Sequence, residues 1–270
     1  NPHNPLGRIA SADEIRAIVQ WCDAKNALSK FDLVSDEIYA LSCFAHDKAQ
    51  FGADPGPPTT FVSLATILNG DLAAHRAHVV YGISKDFGLS GFRLGVVWSG
   101  DDDVKAALKS ASLFTNVSNF TAAVVAHLLS DLAWVNSYVK ENNARLARNC
   151  ALTEARLTRI GLPFIAPQAG MFLLADLSSL LPLLDIPPTT DAGDDVADDL
   201  WAREARLYDL LVEDKRIILT PGASQHVATP GWFRICFAYV DFTILAVALD
   251  RLETFCYDLR AAAAAKSPGV

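Results

Sequence analysis

Residues 81–95 read YGISKDFGLSGFRLG, and this stretch decides the interpretation of the whole chain. An apolar run ends at Lys85, a glycine-rich turn follows, and Arg93 stands eight residues after the lysine. A second apolar run begins immediately beyond Arg93. The pattern predicts a strand that carries Lys85 into a loop and a return strand that brings Arg93 close to it.

The lysine and the arginine of this stretch have complementary chemistry. A lysine held at a strand end among apolar neighbours loses solvation, which lowers its pKa and makes the amine a nucleophile. An arginine offers a planar fork that suits a phosphate. A Schiff-base lysine beside a phosphate clamp is what pyridoxal phosphate (PLP) requires. The same spacing also fits a plain hairpin with a surface lysine and a structural arginine, so spacing alone leaves both interpretations open.

The bulk composition narrows the function classes. The chain has 270 residues, enough for one large domain or two smaller ones, and its 51% hydrophobic content fits a buried α/β sheet. A net charge of −8 argues against a general nucleic-acid binder, and no apolar run reaches the length of a membrane span. The five cysteines are far apart and include no CxxC pair, which favours reduced thiols in a cytoplasmic protein over disulfides or a zinc site.

A second candidate site lies in residues 31–40, which read FDLVSDEIYA. The apolar run predicts a buried parallel strand whose polar residues fall at the carboxyl end, where open α/β sheets place their ligands. Asp36 and Tyr39 are three residues apart, so both can face one ligand there. A carboxylate buried against a pyridinium nitrogen keeps that ring protonated, and a tyrosine hydroxyl can bond the cofactor's phenolic oxygen. Alternatively, Asp36 caps the next helix and Tyr39 is half-buried packing.

The first residues of the chain predict a turn followed by a helix. Residues 1–8 read NPHNPLGR, and two Asn-Pro pairs with a glycine favour a turn that contains Asn4. Ser11 and Glu14 have the spacing of a capping box, which predicts a helix that runs to Ala27. On local pattern alone this is a plain connection between a strand and a helix.

The last informative stretch combines a turn with a strand. Residues 220–226 read TPGASQH, and residues 230–238 read PGWFRICFA. The second segment alternates, so Arg234 lies on the face opposite Phe233 and Ile235. A strand arginine opposite apolar residues is usually a surface residue, so the alternation alone assigns Arg234 no ligand.

Together, the lysine segment, the Asn-Pro turn, the Asp-Glu-Ile-Tyr segment and the arginine strand resemble fold-type I PLP enzymes of the class I/II aminotransferase family. The resemblance is closest to the 1-aminocyclopropane-1-carboxylate (ACC) synthase branch and runs from Asn1 to about Tyr257, with its motifs in the expected order. It implies an α/β large domain with a mostly parallel sheet in residues 1–135. A linking helix and a smaller α+β domain are expected in residues 136–270. The large domain is expected to be incomplete at its N-terminus, so the chain is interpreted as a fragment.

The resemblance implies which residues surround the cofactor. The residues that it places at PLP are Asn4, Asp36, Tyr39, Ser84, Lys85 and Arg93. Lys85 is expected to be the catalytic lysine, which forms the Schiff base and moves the α-proton of the substrate. Asp36 is expected to keep the pyridine nitrogen protonated, and Asn4 and Tyr39 to hold the phenolic oxygen.

Two arginines are implied to bind anions. Arg93 is expected to bind the cofactor phosphate, and Arg234 the α-carboxylate of the substrate. Gly82 stands where relatives often have a serine that helps to bind the phosphate, so the grip on the cofactor is expected to be weaker here.

The implied function is a PLP-dependent enzyme that acts on an α-amino acid or its derivative, by ACC synthase-like α,γ-elimination or by amino transfer. A C–S lyase of secondary metabolism and a truncated, non-catalytic remnant are the alternatives. A nucleotide-binding domain is disfavoured, because no glycine-rich dinucleotide fingerprint follows a strand. The resemblance also implies a homodimer of the full-length protein, a small amino-acid substrate, and no nucleic-acid, membrane or metal partner.

Overall fold

The computed structural model describes residues 1–26, 30–53, 60–185 and 196–266 of the chain. Within these ranges the helices are α1 Ala12–Asn26, α2 Leu64–Ile67, α3 Asp102–Ala111, α4 Asn119–Ser130, α5 Leu132–Arg159, α6 Val196–Glu213 and α7 Phe242–Lys266. The strands are β1 Leu33–Asp36, β2 Ala77–Gly82, β3 Gly95–Ser99, β4 Phe164–Ile165, β5 Phe172–Asp176, β6 Thr220–Pro221 and β7 Trp232–Cys236. Short 3-10 helices include Ala45–Phe51, Ser90–Phe92 and Gly222–Gln225. The strands are divided between two sheets.

The first sheet has the strand order β1-β2-β3 and holds the segment around Lys85. β1 and β2 run parallel, with Asp36 opposite Val80, and β3 returns antiparallel to β2, with Gly95 opposite Gly82. The predicted hairpin around Lys85 is therefore confirmed. The described sheet is mixed rather than mostly parallel, because a turn and a 3-10 helix join β2 to β3, whereas a parallel pair requires a long crossover.

β1 is covered by helices on one face. Leu33 packs with Val19 of α1 and Leu64 of α2 in a small core cluster. Val34 points to the other face and is 56% exposed. The expectation of a buried strand is wrong here, because α1 and α2 pack against the same face of the strand.

α1 begins as the sequence predicts. The N–H of Ser11 donates to Oε2 of Glu14 at 2.8 Å, and the N–H of Glu14 donates to Oγ of Ser11 at 3.2 Å. These reciprocal bonds are the capping box, and they satisfy two backbone donors at the start of the helix. The helix is described to Asn26, and its predicted last residue, Ala27, lies outside the described residues.

The second sheet has the strand order β4-β5-β7-β6, and its paired strands are antiparallel. Leu173 of β5 and Phe233 of β7 join a core with Leu157 of α5 and Leu249 of α7. These four residues are at most 3% exposed. An antiparallel sheet packed on helices is the smaller α+β part that the sequence predicts, and it presents Arg234 on the face opposite this core.

α5 runs from the first sheet to the core of the second. Tyr138 in its first half stacks on Phe87, with ring centroids 5.4 Å apart, while Leu157 in its second half belongs to the core of the second sheet. One turn before Leu157, Oε1 of Glu154 lies 2.6 Å from the buried Nζ of Lys48, and this ion pair ties the 3-10 helix Ala45–Phe51 to α5. The predicted domain boundary between residues 135 and 136 falls inside α5 and stays a prediction.

The described ranges contain neither a candidate membrane span nor a candidate metal site. None of the helices in those ranges is both long enough and apolar enough to cross a membrane. Nor do His, Cys, Asp and Glu side chains in the same ranges come together in a group of three that could hold a metal ion.

Candidate active site

Lys85 lies in a turn beyond the end of β2. The N–H of Gly88 donates to the Lys85 carbonyl at 3.0 Å, and the N–H of Leu89 donates to the Ile83 carbonyl at 3.2 Å, which closes the turn. The side chain of Lys85 is exposed and lines a cleft of about 730 Å³ between this turn, α5 and residues 238–242. The expected loss of solvation is therefore not observed, because the apolar neighbours of the turn face inward while the lysine faces the cleft. A ligand in the cleft can reach the amine.

Asp86 anchors this turn, and sequence reasoning assigned it no role. Its carboxylate is 2% exposed and accepts hydrogen bonds from Leu41 N–H at 3.0 Å, Ser42 Oγ at 2.6 Å and Tyr81 Oη at 3.1 Å. Burial raises the pKa of the Asp86 carboxyl, and the three hydrogen bonds oppose that rise. The bonds hold the backbone next to Lys85 against the segment that follows β1.

Aromatic stacking anchors the turn from its other side. Phe87 stacks on Tyr138 of α5 with an interplanar angle of 10°, and Tyr138 stacks in turn on Trp134 at 5.2 Å. Phe87 is buried, whereas Lys85 two residues earlier is exposed. We call residues 83–92 the lysine loop, and its buried residues Asp86 and Phe87, on either side of the anchored turn, fix a backbone that leaves the lysine side chain free.

Arg234 is held by three side chains from different parts of the chain. Its Nη1 donates to Oδ1 of Asn4 at 2.9 Å and to Oε1 of Gln225 at 3.3 Å, and its Nη2 donates to Oγ1 of Thr220 at 3.2 Å. Its guanidinium carbon lies 5.2 Å from the centroid of the Phe172 ring. The buried Nε has no hydrogen-bond partner among the described residues. We call Arg234, Asn4, Thr220 and Gln225 the arginine cluster, in which three of the five guanidinium N–H groups are bonded and two, on Nε and Nη2, are unused by the described part of the chain.

Tyr39 lies beside the arginine cluster. It is 7% exposed, and its ring meets Phe172 edge-on with centroids 5.5 Å apart, so Tyr39 and Arg234 pack on the same phenyl ring. Burial raises the pKa of the Tyr39 phenol, and the positive charge of Arg234 opposes that rise. Of the predicted site residues, Asn4, Tyr39 and Arg234 are therefore brought together.

Asp36 is the last residue of β1, at the strand end where the sequence predicts it. Its side chain is exposed, and its Oδ1 accepts a hydrogen bond from the N–H of Ile38 at 3.1 Å. The expected buried carboxylate is not observed in the described chain, because the side chain folds back to cap the turn that follows its own strand. The carboxylate nevertheless stays at the carboxyl edge of the sheet.

Arg93 and Ser84 lie on the two arms of the hairpin. Arg93 takes a left-handed backbone conformation with φ of +53°, is exposed, and donates from Nη1 to the Ser90 carbonyl at 2.9 Å. Ser84 and Ser90 both line the cleft that Lys85 lines. The hairpin thus brings Arg93 back against Ser90, a residue that lines the cleft, and one N–H of its guanidinium is used by the lysine loop.

Cys236 connects the arginine cluster with the cleft. It stands two residues after Arg234 on β7, so both side chains lie on the same face of the strand. Cys236 and the neighbouring Met171 line the cleft together with Lys85. Arg234 lines a second pocket, and Cys236 and Tyr239 line both that pocket and the cleft of Lys85, so Lys85 and Arg234 border adjoining parts of one surface.

Comparisons with known proteins identify the family of the chain. The family of aminotransferases of class I and II matches residues 1–252 of the chain. The chain belongs to this family. Its enzymes are PLP-dependent, and the order of motifs along this chain is consistent with that chemistry.

Curated relatives support the ACC synthase branch. ACC synthase 4 from Oryza sativa subsp. japonica is 38% identical over 270 residues, which cover 94% of this chain and 49% of that protein. An ACC synthase from Glycine max is 32% identical over 259 residues, covering 94% of this chain and 47% of that protein. The chain thus spans about half the length of the curated relatives it matches.

Solved structures share the fold. An aromatic aminotransferase from Pyrococcus horikoshii OT3 has a TM-score of 0.74 and 20% identity, with 97% of this chain and 59% of that chain covered. A Thermus thermophilus aspartate aminotransferase mutant has a TM-score of 0.70 and 21% identity, with 94% and 55% covered. These similarities confirm the expected PLP-transferase fold of type I.

The described residues fit PLP in chemical type. The cofactor requires a lysine amine that its aldehyde can reach, and the exposed Lys85 meets that condition. A donor is needed at the phenolic oxygen, and Tyr39 places a hydroxyl-bearing ring beside the arginine cluster. Nη2 of Arg234 makes one hydrogen bond among the described residues, so its second N–H is left for an anion on the same surface.

Proposed function

We propose that the chain forms the lysine and carboxylate-binding part of a PLP-dependent enzyme that acts on an α-amino acid or its derivative. The observation that carries the proposal is the surface shared by Lys85 and Arg234. On it an accessible amine borders the cleft, and a guanidinium whose Nη2 keeps one N–H unused by the described residues is fixed by Asn4, Thr220 and Gln225. A nucleophilic amine next to a rigid carboxylate receptor is what chemistry at an amino-acid α-carbon needs.

Each of the other predicted residues has a part in this proposal. When bound, PLP supplies an electron sink for negative charge at the α-carbon. Asp36, at the end of β1, would pair with the pyridine nitrogen, and Asn4 and Tyr39 would hold the phenolic oxygen. Ser84 and Arg93 would bind the phosphate.

The motion of the proton is assigned to Lys85. Its amine would take the proton from the α-carbon; in amino transfer it would deliver that proton to another carbon, and in α,γ-elimination the α-carbon bonds to the γ-carbon and the proton passes to solvent. The free, exposed side chain supports this role, because a base that first holds the cofactor and then moves a proton has to change partners. Arg234 keeps the α-carboxylate in place throughout, since a guanidinium is always charged and binds a carboxylate with two parallel hydrogen bonds.

The reaction type is proposed to be α,γ-elimination of the ACC synthase kind or amino transfer. The relatives that share 32–38% identity with the chain carry the name ACC synthase, which favours the first. The same residues also serve β-elimination by a C–S lyase. The products distinguish these three reactions. The α,γ-elimination gives a cyclic amino acid, amino transfer gives a 2-oxo acid without releasing a thiol, and β-elimination releases a thiol together with a 2-oxo acid and ammonia.

The first experiment is a visible spectrum of the purified chain with added PLP, followed by borohydride reduction and peptide mapping. We expect a reducible absorbance band and the pyridoxyl mass on the peptide that contains Lys85. Lys85→Ala should lose the label, while Lys140→Ala, which removes an exposed lysine of α5, should keep it. Label scattered over surface lysines, or equal labelling of Lys85→Ala, would contradict the proposal and favour a non-catalytic remnant.

We also propose assembly as a homodimer and a cytoplasmic location. The dimer follows from the resemblance, and light scattering that gives a monomer mass for active protein would refute it. The location is supported by the five cysteines, which are all free thiols in the structure. Fractionation of cells that express the protein would test it.

A further inference from the structure

Glu204 is a buried carboxylate in α6, outside the site described above. It is 1% exposed. Its Oε1 accepts a hydrogen bond from the N–H of Ala223 at 3.0 Å, and its Oε2 accepts one from the N–H of Gly231 at 2.6 Å. A buried carboxylate is unfavourable unless donors compensate it, so these two backbone groups define what the side chain does.

The two donors are at opposite ends of one segment. Ala223 is in the 3-10 helix that follows β6, and Gly231 directly precedes β7. One side chain therefore closes residues 223–231 into a fixed loop. Gly231 adds to this, because it has φ of +100° and a Cβ at this position would lie 2.5 Å from Cα of Ser178. The loop is held at both ends with little room to move.

This loop carries a partner of Arg234. Gln225 lies inside it and accepts from Nη1 of Arg234 at 3.3 Å, while Thr220, just before the loop, accepts from Nη2 at 3.2 Å. Thr220 also pairs with Arg234 across the β6–β7 ladder. The position of two guanidinium partners thus depends on the loop that Glu204 closes.

We propose that Glu204 is a positioning residue for binding of the substrate carboxylate. By bridging Ala223 and Gly231 it fixes Gln225 against Arg234, and so holds the guanidinium in the orientation that receives a carboxylate. The inference rests on the proposed function, in which Arg234 binds that group. It adds a residue that touches neither substrate nor cofactor and acts through the loop.

The test uses acetate as a carboxylate probe and needs no cofactor. In ¹⁵N NMR spectra of the whole chain, acetate is expected to shift the Nε–H signal of Arg234 together with the amide signals of Ala223 and Gly231. In Glu204→Gln the neutral amide cannot accept from both N–H groups, so the dissociation constant for acetate should rise about tenfold. Asp209→Asn removes an exposed carboxylate from the same helix and should leave that constant within about twofold.

The outcomes separate positioning from stability. If Glu204→Gln lowers the melting temperature but binds acetate as Asp209→Asn does, the role is only structural and the proposal is overturned. If Glu204→Gln does not fold, the wild-type titration decides. Loop amides that shift with Arg234 support the proposal, and loop amides that stay fixed while Arg234 responds overturn it. No response at Arg234 overturns it as well.

This experiment also separates the inference from the proposed function. Failure of PLP to attach to Lys85 would count against the enzyme function and would not alter the acetate titration.

Coupling through the loop can be measured directly with Gln225→Ala, alone and combined with Glu204→Gln. If Glu204 acts through Gln225, the double variant should bind acetate about as weakly as the weaker single variant. Full additivity of the two losses would contradict that route.

Discussion

Lys85 is exposed at the edge of the cleft, whereas Arg234 is half-buried and its guanidinium is bonded to three other side chains. In the lysine loop the fixed residues are the neighbours of the functional side chain. Asp86 and Phe87 are buried, whereas Lys85 itself is exposed and free. In the arginine cluster the functional side chain is itself the fixed element. The difference matches the demands of the two roles: a base that moves a proton must change partners, while a carboxylate receptor gains from being preorganised.

The largest expected effect separates Lys85 from its neighbour Asp86. Asp86→Ala should lower the free energy of unfolding by about 3 kcal/mol, because it leaves the buried donor of Ser42 and the part-buried donors of Leu41 and Tyr81 unpaired. Lys85→Ala should change it by less than about 0.5 kcal/mol, since the side chain is exposed. Urea unfolding measures both. Equal losses of unfolding free energy in the two variants would mean that the Lys85 side chain also supports the fold. The contrast between a free Lys85 and a fixed Arg234 would then not hold.

Arg234→Lys tests the preorganised side of the comparison. Lysine keeps the charge but has no planar fork, so it cannot hold Asn4 and Thr220 and a carboxylate at once. We expect the affinity for acetate, or for an amino acid in the PLP-loaded protein, to fall by about 2 kcal/mol, or roughly 30-fold. Covalent attachment of PLP to Lys85 should persist. Arg206→Lys, an exposed arginine of α6, is the control and should bind as the wild type does.

The pH dependence of stability sharpens the account of Asp86. Burial raises its pKa in the folded chain, so the folded state holds the proton more tightly than the unfolded state. This contribution to the free energy of unfolding is fully present below the pKa that Asp86 has in the unfolded chain, about 4. It is lost as the pH rises through the higher pKa of Asp86 in the folded chain. Asp86→Asn cannot titrate. The wild type's unfolding free energy minus that of the variant should therefore decrease as the pH rises from about 4.

Urea unfolding at a series of pH values measures this difference. A difference that grows with pH would mean that the three hydrogen bonds to the Asp86 carboxylate outweigh its desolvation. In that case the carboxylate, rather than the protonated acid, would be the form that the lysine loop stabilises.

The smallest effect concerns Tyr39. The charge of Arg234 lowers the Tyr39 pKa against the effect of burial, so Arg234→Gln should raise that pKa further. A ¹³C NMR titration of the tyrosine ring carbons at alkaline pH measures it, with Tyr39→Phe to assign the signal. Arg206→Gln should leave the titration unchanged. A Tyr39 pKa that does not respond to Arg234→Gln would show that the two side chains are not coupled.

Several features were predictable because they depend on residues close in sequence. The hairpin around Lys85 follows from two apolar runs separated by a glycine-rich turn, and the capping box of α1 from the spacing of Ser11 and Glu14. The placement of Arg234 on the polar face of a strand follows from alternation. These patterns also carried the resemblance to aminotransferases, which the family match over residues 1–252 bears out.

The environment of the predicted side chains was less predictable. The pattern around Lys85 predicts apolar neighbours, and they are present, but it does not specify which way each side chain points. Lys85 is therefore exposed where desolvation was expected, and Asp36 caps its own turn where a buried carboxylate was expected. The solvation of a side chain depends on which distant segments of the chain pack against it, and local periodicity carries no information about those segments.

The sequence by itself determined the local elements and the order of the motifs, because turn chemistry, capping and periodicity act over a few residues. Only the tertiary structure decided that Asp86 binds residues 41 and 42, that Asn4 meets Arg234 across 230 positions, and that Glu204 closes the loop carrying Gln225. These contacts join segments distant in sequence. A buried carboxylate takes whichever donors the packed core brings to it, and that choice is made when the sheets and helices come together.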